Sequence, residues 1–96
     1  MKINFKQKLK GIDGKNLQGE DGDLPLSIPC MQAVLVQAEG DKPDGKEKFD
    51  RYKLAEKIQN GGELDIEEVA KIKDLVGKIY TAAIVGPVWL ALEKAK

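Results

Sequence analysis

The first ten residues alternate. Ile3, Phe5 and Leu9 fall on odd positions, and Lys2, Lys6, Lys8 and Lys10 fall on even ones. A period of two marks a half-buried strand, here with a lysine-lined outer face. Asp13-Gly14 supplies the positive φ that a tight turn requires, and Asp21-Gly22 offers a second turn. Between and after them, Lys15–Leu17 and Leu24–Leu26 read as short return strands, giving a hairpin or small meander. Pro25 lacks a ladder donor, so its strand is expected at an edge or as an isolated bridge.

From Ser27 onward the period becomes helical. Ser27 is the expected N-cap, Pro29 fits the first turn, and Ile28, Met31, Leu35 and Ala38 form the stripe before Gly40 ends the helix. Glu39 to Gly45 then reads as a solvated loop. Asp44 and Glu47 open a second helix in capping-box style; Phe49, Tyr52, Ala55 and Ile58 line its face, and Asn60-Gly61-Gly62 stops it. The third start is the best marked. Asp65 caps, Glu68 sits three residues on, and Leu64 and Val69 occupy the places of a hydrophobic staple. Val69, Ile72, Val76 and Ile79 make its stripe, with Lys71, Lys73, Asp74 and Lys78 facing water. A break is expected within 80–87, at a Thr81 cap or at Gly86-Pro87, with a last helix over roughly 87–94. The pattern predicts one α+β domain over 1–96: a small N-terminal β-hairpin or meander in 1–26, packed on three to four α-helices in 27–96.

The segment Ile79–Leu92 is apolar on nearly every side. A helix apolar all round must be covered all round. Trp89 is therefore expected to be largely buried, with the segment forming the central core or packing against another chain. Tyr80, Ile84, Val88, Trp89 and Leu92 are the candidate contacts to a partner or to a second copy. Lys2, Lys6, Lys8 and Lys10 are the candidate charged contact. At fourteen residues the apolar run is short of the roughly twenty that a bilayer requires, so no membrane partner is expected. MKINFKQKLK has no apolar core of the secretory kind, which points to the cytoplasm.

Composition narrows the chemistry. With 42% hydrophobic and 33% charged residues, the chain is neither disordered by composition nor membrane-like. Net charge is zero but uneven. Residues 1–15 hold five lysines against Asp13 (+4), and residues 16–45 hold six carboxylates against Lys42 (−5). That asymmetry points to local self-complementarity rather than a nucleic-acid face. The lysine strand has no interleaved aromatics, which weakens a phosphate-binding reading. The second and third helices imitate a helix-turn-helix, but Asp65, Glu67 and Glu68 would repel DNA at the start of the reading helix.

The chain has one cysteine and no histidine, which excludes an intrachain disulfide, histidine triads and histidine zinc sites. Cys30 sits in an apolar run with Ile28 and Met31, so a small buried hydrophobe is expected. Asp13 to Asp23 is acidic, yet Leu17 and Gly19 stand where calcium ligands would be needed, and the flanks read as strands. No carboxylate lies in an apolar run, and no phosphate loop or nucleophile elbow occurs. The expectation is a non-enzyme with no catalytic, cofactor-binding or metal-binding residue and no cofactor.

The stretch EKFDRYKLAEKIQNGGELDIEEVAKIKDLVGKIY (47–80), then Ile84-Val85-Gly86, Trp89 and LALE (90–93), resembles small proteins encoded by tailed phages and prophages. The lysine-rich opening and its Asp-Gly turn fit the same pattern. Pro87 and Thr81-Ala82-Ala83 depart from it, which bears on the last helix boundary. The resemblance implies no activity and no functional residue; it implies a setting in which small proteins act by binding. The expected function is thus a non-enzymatic, phage-type protein–protein interaction protein, an accessory or assembly factor, with homo-oligomerisation as one form of that contact. A host-directed binder, with the acidic 16–45 stretch as a nucleic-acid mimic, is the second reading. A small nucleic-acid-binding protein using the lysine strand is the third.

Overall fold

The computed structural model describes residues 2–20 and 22–94. It shows an α+β architecture, a small antiparallel hairpin followed by four helices among the described residues. The strands are β1 (Gln18–Gly19) and β2 (Gly22–Asp23), paired with Gln18 opposite Asp23 and Gly19 opposite Gly22. The helices are α1 (Ser27–Leu35), α2 (Gly45–Gln59), α3 (Ile66–Ile79) and α4 (Ala82–Glu93).

The opening alternation holds side chain by side chain. Ile3, Phe5 and Leu9 are buried, and Lys2, Lys6, Lys8 and Lys10 are exposed. It is not one continuous strand, because Asn4 folds the chain over itself. Its side-chain oxygen accepts from the Lys6 amide at 3.0 Å, and its carbonyl accepts from the Gln7 amide at 3.3 Å. Beyond that turn, three leucines close a ring of backbone bonds. Leu9 N donates to Leu24 O (2.9 Å), Leu24 N to Leu17 O (2.8 Å) and Leu17 N to Leu9 O (2.8 Å). Three short extended pieces thereby satisfy one another without a wide sheet. Pro25 forms an isolated bridge with Lys8, flanked by the Leu9 N–Leu24 O and Leu26 N–Gln7 O bonds, so its missing N–H is never called on. Gly14 (φ +81°) makes the first turn; of the second, Gly22 (φ +110°) is described and Asp21 lies outside the described residues.

The helices hold to their caps better than to their expected faces. Asp65 and Glu68 close a full capping box at 2.7 and 3.0 Å, and Leu64 and Val69 are both buried beside it. Asp44 accepts from the Glu47 amide at 2.8 Å, but the Glu47 carboxylate turns to Lys71 instead. Ser27 does not cap α1. Leu26 occupies that place without a side-chain bond, and Ser27 N donates to Phe5 O at 2.9 Å. α1 also ends at Leu35, short of the expected Gly40, because Val36 is already extended. It buries Pro29, Cys30, Ala33 and Val34, and the expected stripe residues Ile28 and Leu35 face outward. α2 is rotated likewise, burying Arg51, Leu54, Ala55 and Ile58 and leaving Phe49 and Tyr52 exposed. α4 begins at Ala82, directly after Thr81 and five residues before Pro87, which sits inside the helix rather than at its start.

α1 packs against α2 and α3, and α4 packs against α3. The opening segment closes the other side. Ile3 N donates to Gly62 O at 2.9 Å, and a Cβ on Gly62 (φ +75°) would lie 2.3 Å from Ile3 O. Only glycine lets the α2–α3 turn approach that closely.

Candidate interaction surface

α4 divides its apolar residues between two environments. Val88, Ala91 and Leu92 enter the core, and Tyr80, Ile84 and Val85 are half-buried against it. Val88 and Leu92 are therefore core residues and are withdrawn from any contact surface. Trp89 is 37% exposed and Leu90 59% exposed. The expectation of a largely buried Trp89 is corrected: α4 lies along α3 with one stripe down, and its ring rests at the edge.

That ring is fixed in place. Trp89 Nε1 donates to the Lys73 carbonyl at 3.2 Å, and Lys73 Nζ stands 4.7 Å from the ring centroid. Lys73 is held there by Glu93 at 3.0 Å. Between α3 and α4 runs an open hollow of about 640 Å³, with Ala70, Gly77 and Val85 along it, Trp89 at one side and Lys78 at its rim. A Cβ on Gly77 would make ordinary van der Waals contact with the Trp89 ring at 3.8 Å, so the glycine lies directly beside the indole. The result is a shallow groove with an aromatic wall; exposed Leu90 does not line it but lies on the outer face of α4. Leu90 was absent from the sequence-based candidates.

The lysine candidates do not form an uninterrupted basic face. Lys8 pairs with Asp23 at 3.3 Å, and Gln18 and Asn16 donate to the same carboxylate at 2.8 and 3.1 Å. Those hydrogen bonds, Gln18 first, lower the Asp23 pKa. Lys2, Lys6 and Lys10 remain exposed without an ion-pair partner among the described residues.

A buried charge cluster escaped the sequence reading. Arg51 is only 6% exposed, and its guanidinium grips Asp41 at 2.8 and 3.4 Å. Glu47 stands 3.8 Å from Arg51 Nε and bonds Lys71 at 2.9 Å, so four charges tie the 36–44 loop, α2 and α3 together. The Arg51 bonds lower the Asp41 pKa. The available signal was the Glu47–Arg51 spacing of i,i+4. Cys30 is fully buried, and desolvation pushes its thiol up to about 12, so it stays protonated and non-nucleophilic at neutral pH.

Among the described residues no group of three or more His, Cys, Asp or Glu is placed to hold a metal ion, and no helix is long and apolar enough to cross a membrane. Compared with protein-family models, curated proteins and solved structures, the chain matches none.

Proposed function

We propose that this chain is a non-enzymatic protein–protein interaction protein of phage type, an accessory or assembly factor whose partner docks across the α3–α4 groove and the outer face of α4. One observation carries the reading: Trp89 and Leu90 stand exposed on a helix whose other stripe already completes the core. Tryptophan is the residue most enriched at binding hot spots, and here its ring is already immobilised by Lys73, so little side-chain freedom is lost on docking. The groove beside it offers a small-residue floor for an inserted apolar side chain. A setting in the host cytoplasm belongs to the same proposal.

Specific features weaken the other readings. The acidic stretch is a poor nucleic-acid mimic because Asp41 is held by buried Arg51 and Asp23 is neutralised by Lys8. The lysine strand is a poor phosphate track because Asp23 neutralises its centre. The test is affinity purification from infected or lysogenic cells with the wild type and with Leu90→Lys. The wild type should retain a defined phage or host protein that Leu90→Lys releases while remaining folded. Equal retention by both would remove the α4 docking surface from the account.

A further inference from the structure

We propose that the outward face of α1 takes a second copy of this chain, in antiparallel two-fold pairing. This contact is distinct from the α3–α4 groove. α1 carries no charged residue and no side-chain cap. With Cys30, Ala33 and Val34 turned to the core, Ile28 (47% exposed) and Leu35 (53% exposed) point the opposite way, with exposed Gln32 between them and Met31 at the edge of the same face. Ile28 and Leu35 are two turns apart, roughly 10 Å along the axis. Val36, also exposed, extends the strip.

The ends of this strip differ in charge, and that difference identifies the occupant. At the N-terminal end, Lys2 and Lys6 line one hollow with Ser27, and neither has an ion-pair partner among the described residues. At the C-terminal end, residues 37–44 hold Glu39, Asp41 and Asp44 against Lys42, and with Asp41 paired to Arg51 the balance is two minus one, a net −1. Asp41 is occupied by Arg51, and Asp44 accepts the Glu47 amide. Glu39 is exposed at the turn beside Gly40 (φ +82°), without an ion-pair partner among the described residues. A strip that is basic at one end and acidic at the other is complementary to itself when reversed. In a two-fold pair each contact occurs twice. Ile28 then meets Leu35 of the second copy, Met31 lies near the axis, and Lys6 faces Glu39 of the second copy at both ends. Antiparallel α1 helices also oppose their dipoles favourably. Parallel pairing would set lysine against lysine. One short helix face makes a small interface, so the association is weak and concentration-dependent.

The experiment is sedimentation velocity on the full chain over a concentration series, with charge-swapped variants. The wild type should move toward dimer as concentration rises. Lys6→Glu alone and Glu39→Lys alone should each weaken self-association by about tenfold or more, because each creates two like-charge contacts. An equimolar mixture of the two variants should recover the wild-type behaviour, since every contact in the mixed dimer is again Glu against Lys. Leu35→Lys should abolish the dimer while leaving urea unfolding unchanged. A wild type that stays monomeric throughout would overturn the proposal. So would a dimer indifferent to both swaps, a mixture that fails to recover, or a dimer broken by Leu90→Lys but not by Leu35→Lys. The α4 docking reading fails separately, through partner retention by Leu90→Lys.

Discussion

α3 and α4 lie side by side and reach their packing by opposite routes. α3 has strong polar contrast: Val69, Ile72, Leu75 and Val76 are buried, charged residues cover the far side, and a capping box fixes its first turn. Its sequence leaves one way to sit. α4 has little contrast around its circumference, has no side-chain cap and contains Pro87. Several of its faces could have met the core, and neighbouring elements made the choice. Among its large apolar residues α3 leaves only Ile66, at its first position, exposed, whereas helices with less contrast leave apolar surface over along their length. Trp89 and Leu90 on α4, Phe49 and Tyr52 on α2, and Ile28 and Leu35 on α1 are that surplus.

Substitutions can sharpen this contrast, beginning with the largest effect. Ile72→Ala empties a fully buried position on α3 and should cost about 3 kcal/mol in urea unfolding. A cost under about 1 kcal/mol would mean that α3 is not the packed centre. Next is the cap. Asp65→Ala removes the acceptor of the Glu68 amide and should cost about 1 kcal/mol, with Asp65→Asn costing less. Thr81→Ala on α4 should be near neutral, because Thr81 makes no side-chain cap bond. If Thr81→Ala matched Asp65→Ala, the two helix starts would be alike.

The smallest effect is acid-dependent. Asp41 has a lowered folded pKa, owed first to the Arg51 hydrogen bond, so its contribution is present above the ordinary value of 3.8. It is lost as pH falls below that value through the lowered folded pKa. Asp41→Asn should be less stable than the wild type at neutral pH, and the difference should shrink across that acid window. A difference independent of pH would place the Asp41 contribution elsewhere.

Short-range signals were readable from the sequence. The lysine alternation, the Gly14 turn, the bridge at Pro25, the Asp44 and Asp65 caps and the stop after Asn60 all depend on residues within a few positions of one another. Helix faces were readable only where polarity contrasts. In α2, Phe49 and Tyr52 compete with Leu54 and Ile58 for the core, and buried Arg51 decides the rotation through Asp41, ten residues away. That long-range pair leaves no local trace. The break falls within 80–87 as expected, and of the two starts open there, Thr81 and Gly86-Pro87, the chain takes Thr81; α4 carries Pro87 internally, because the carbonyl it frees belongs to exposed Ala83, where water can serve it. Of the candidate surface, Trp89 was found but misplaced. Leu90 could have been found, since Ile84, Val85, Val88, Ala91 and Leu92 share one helical stripe that turns Leu90 away.

The most direct test of this division is the difference in unfolding free energy between Leu92→Ala and Leu90→Ala, two residues apart on α4. Leu92 is 1% exposed and should cost about 3 kcal/mol, while Leu90, on the outer side, should cost less than about 0.5 kcal/mol. Equal costs, or a larger cost at Leu90, would mean that α4 packs by another face and that Leu90 is not surplus left for a partner.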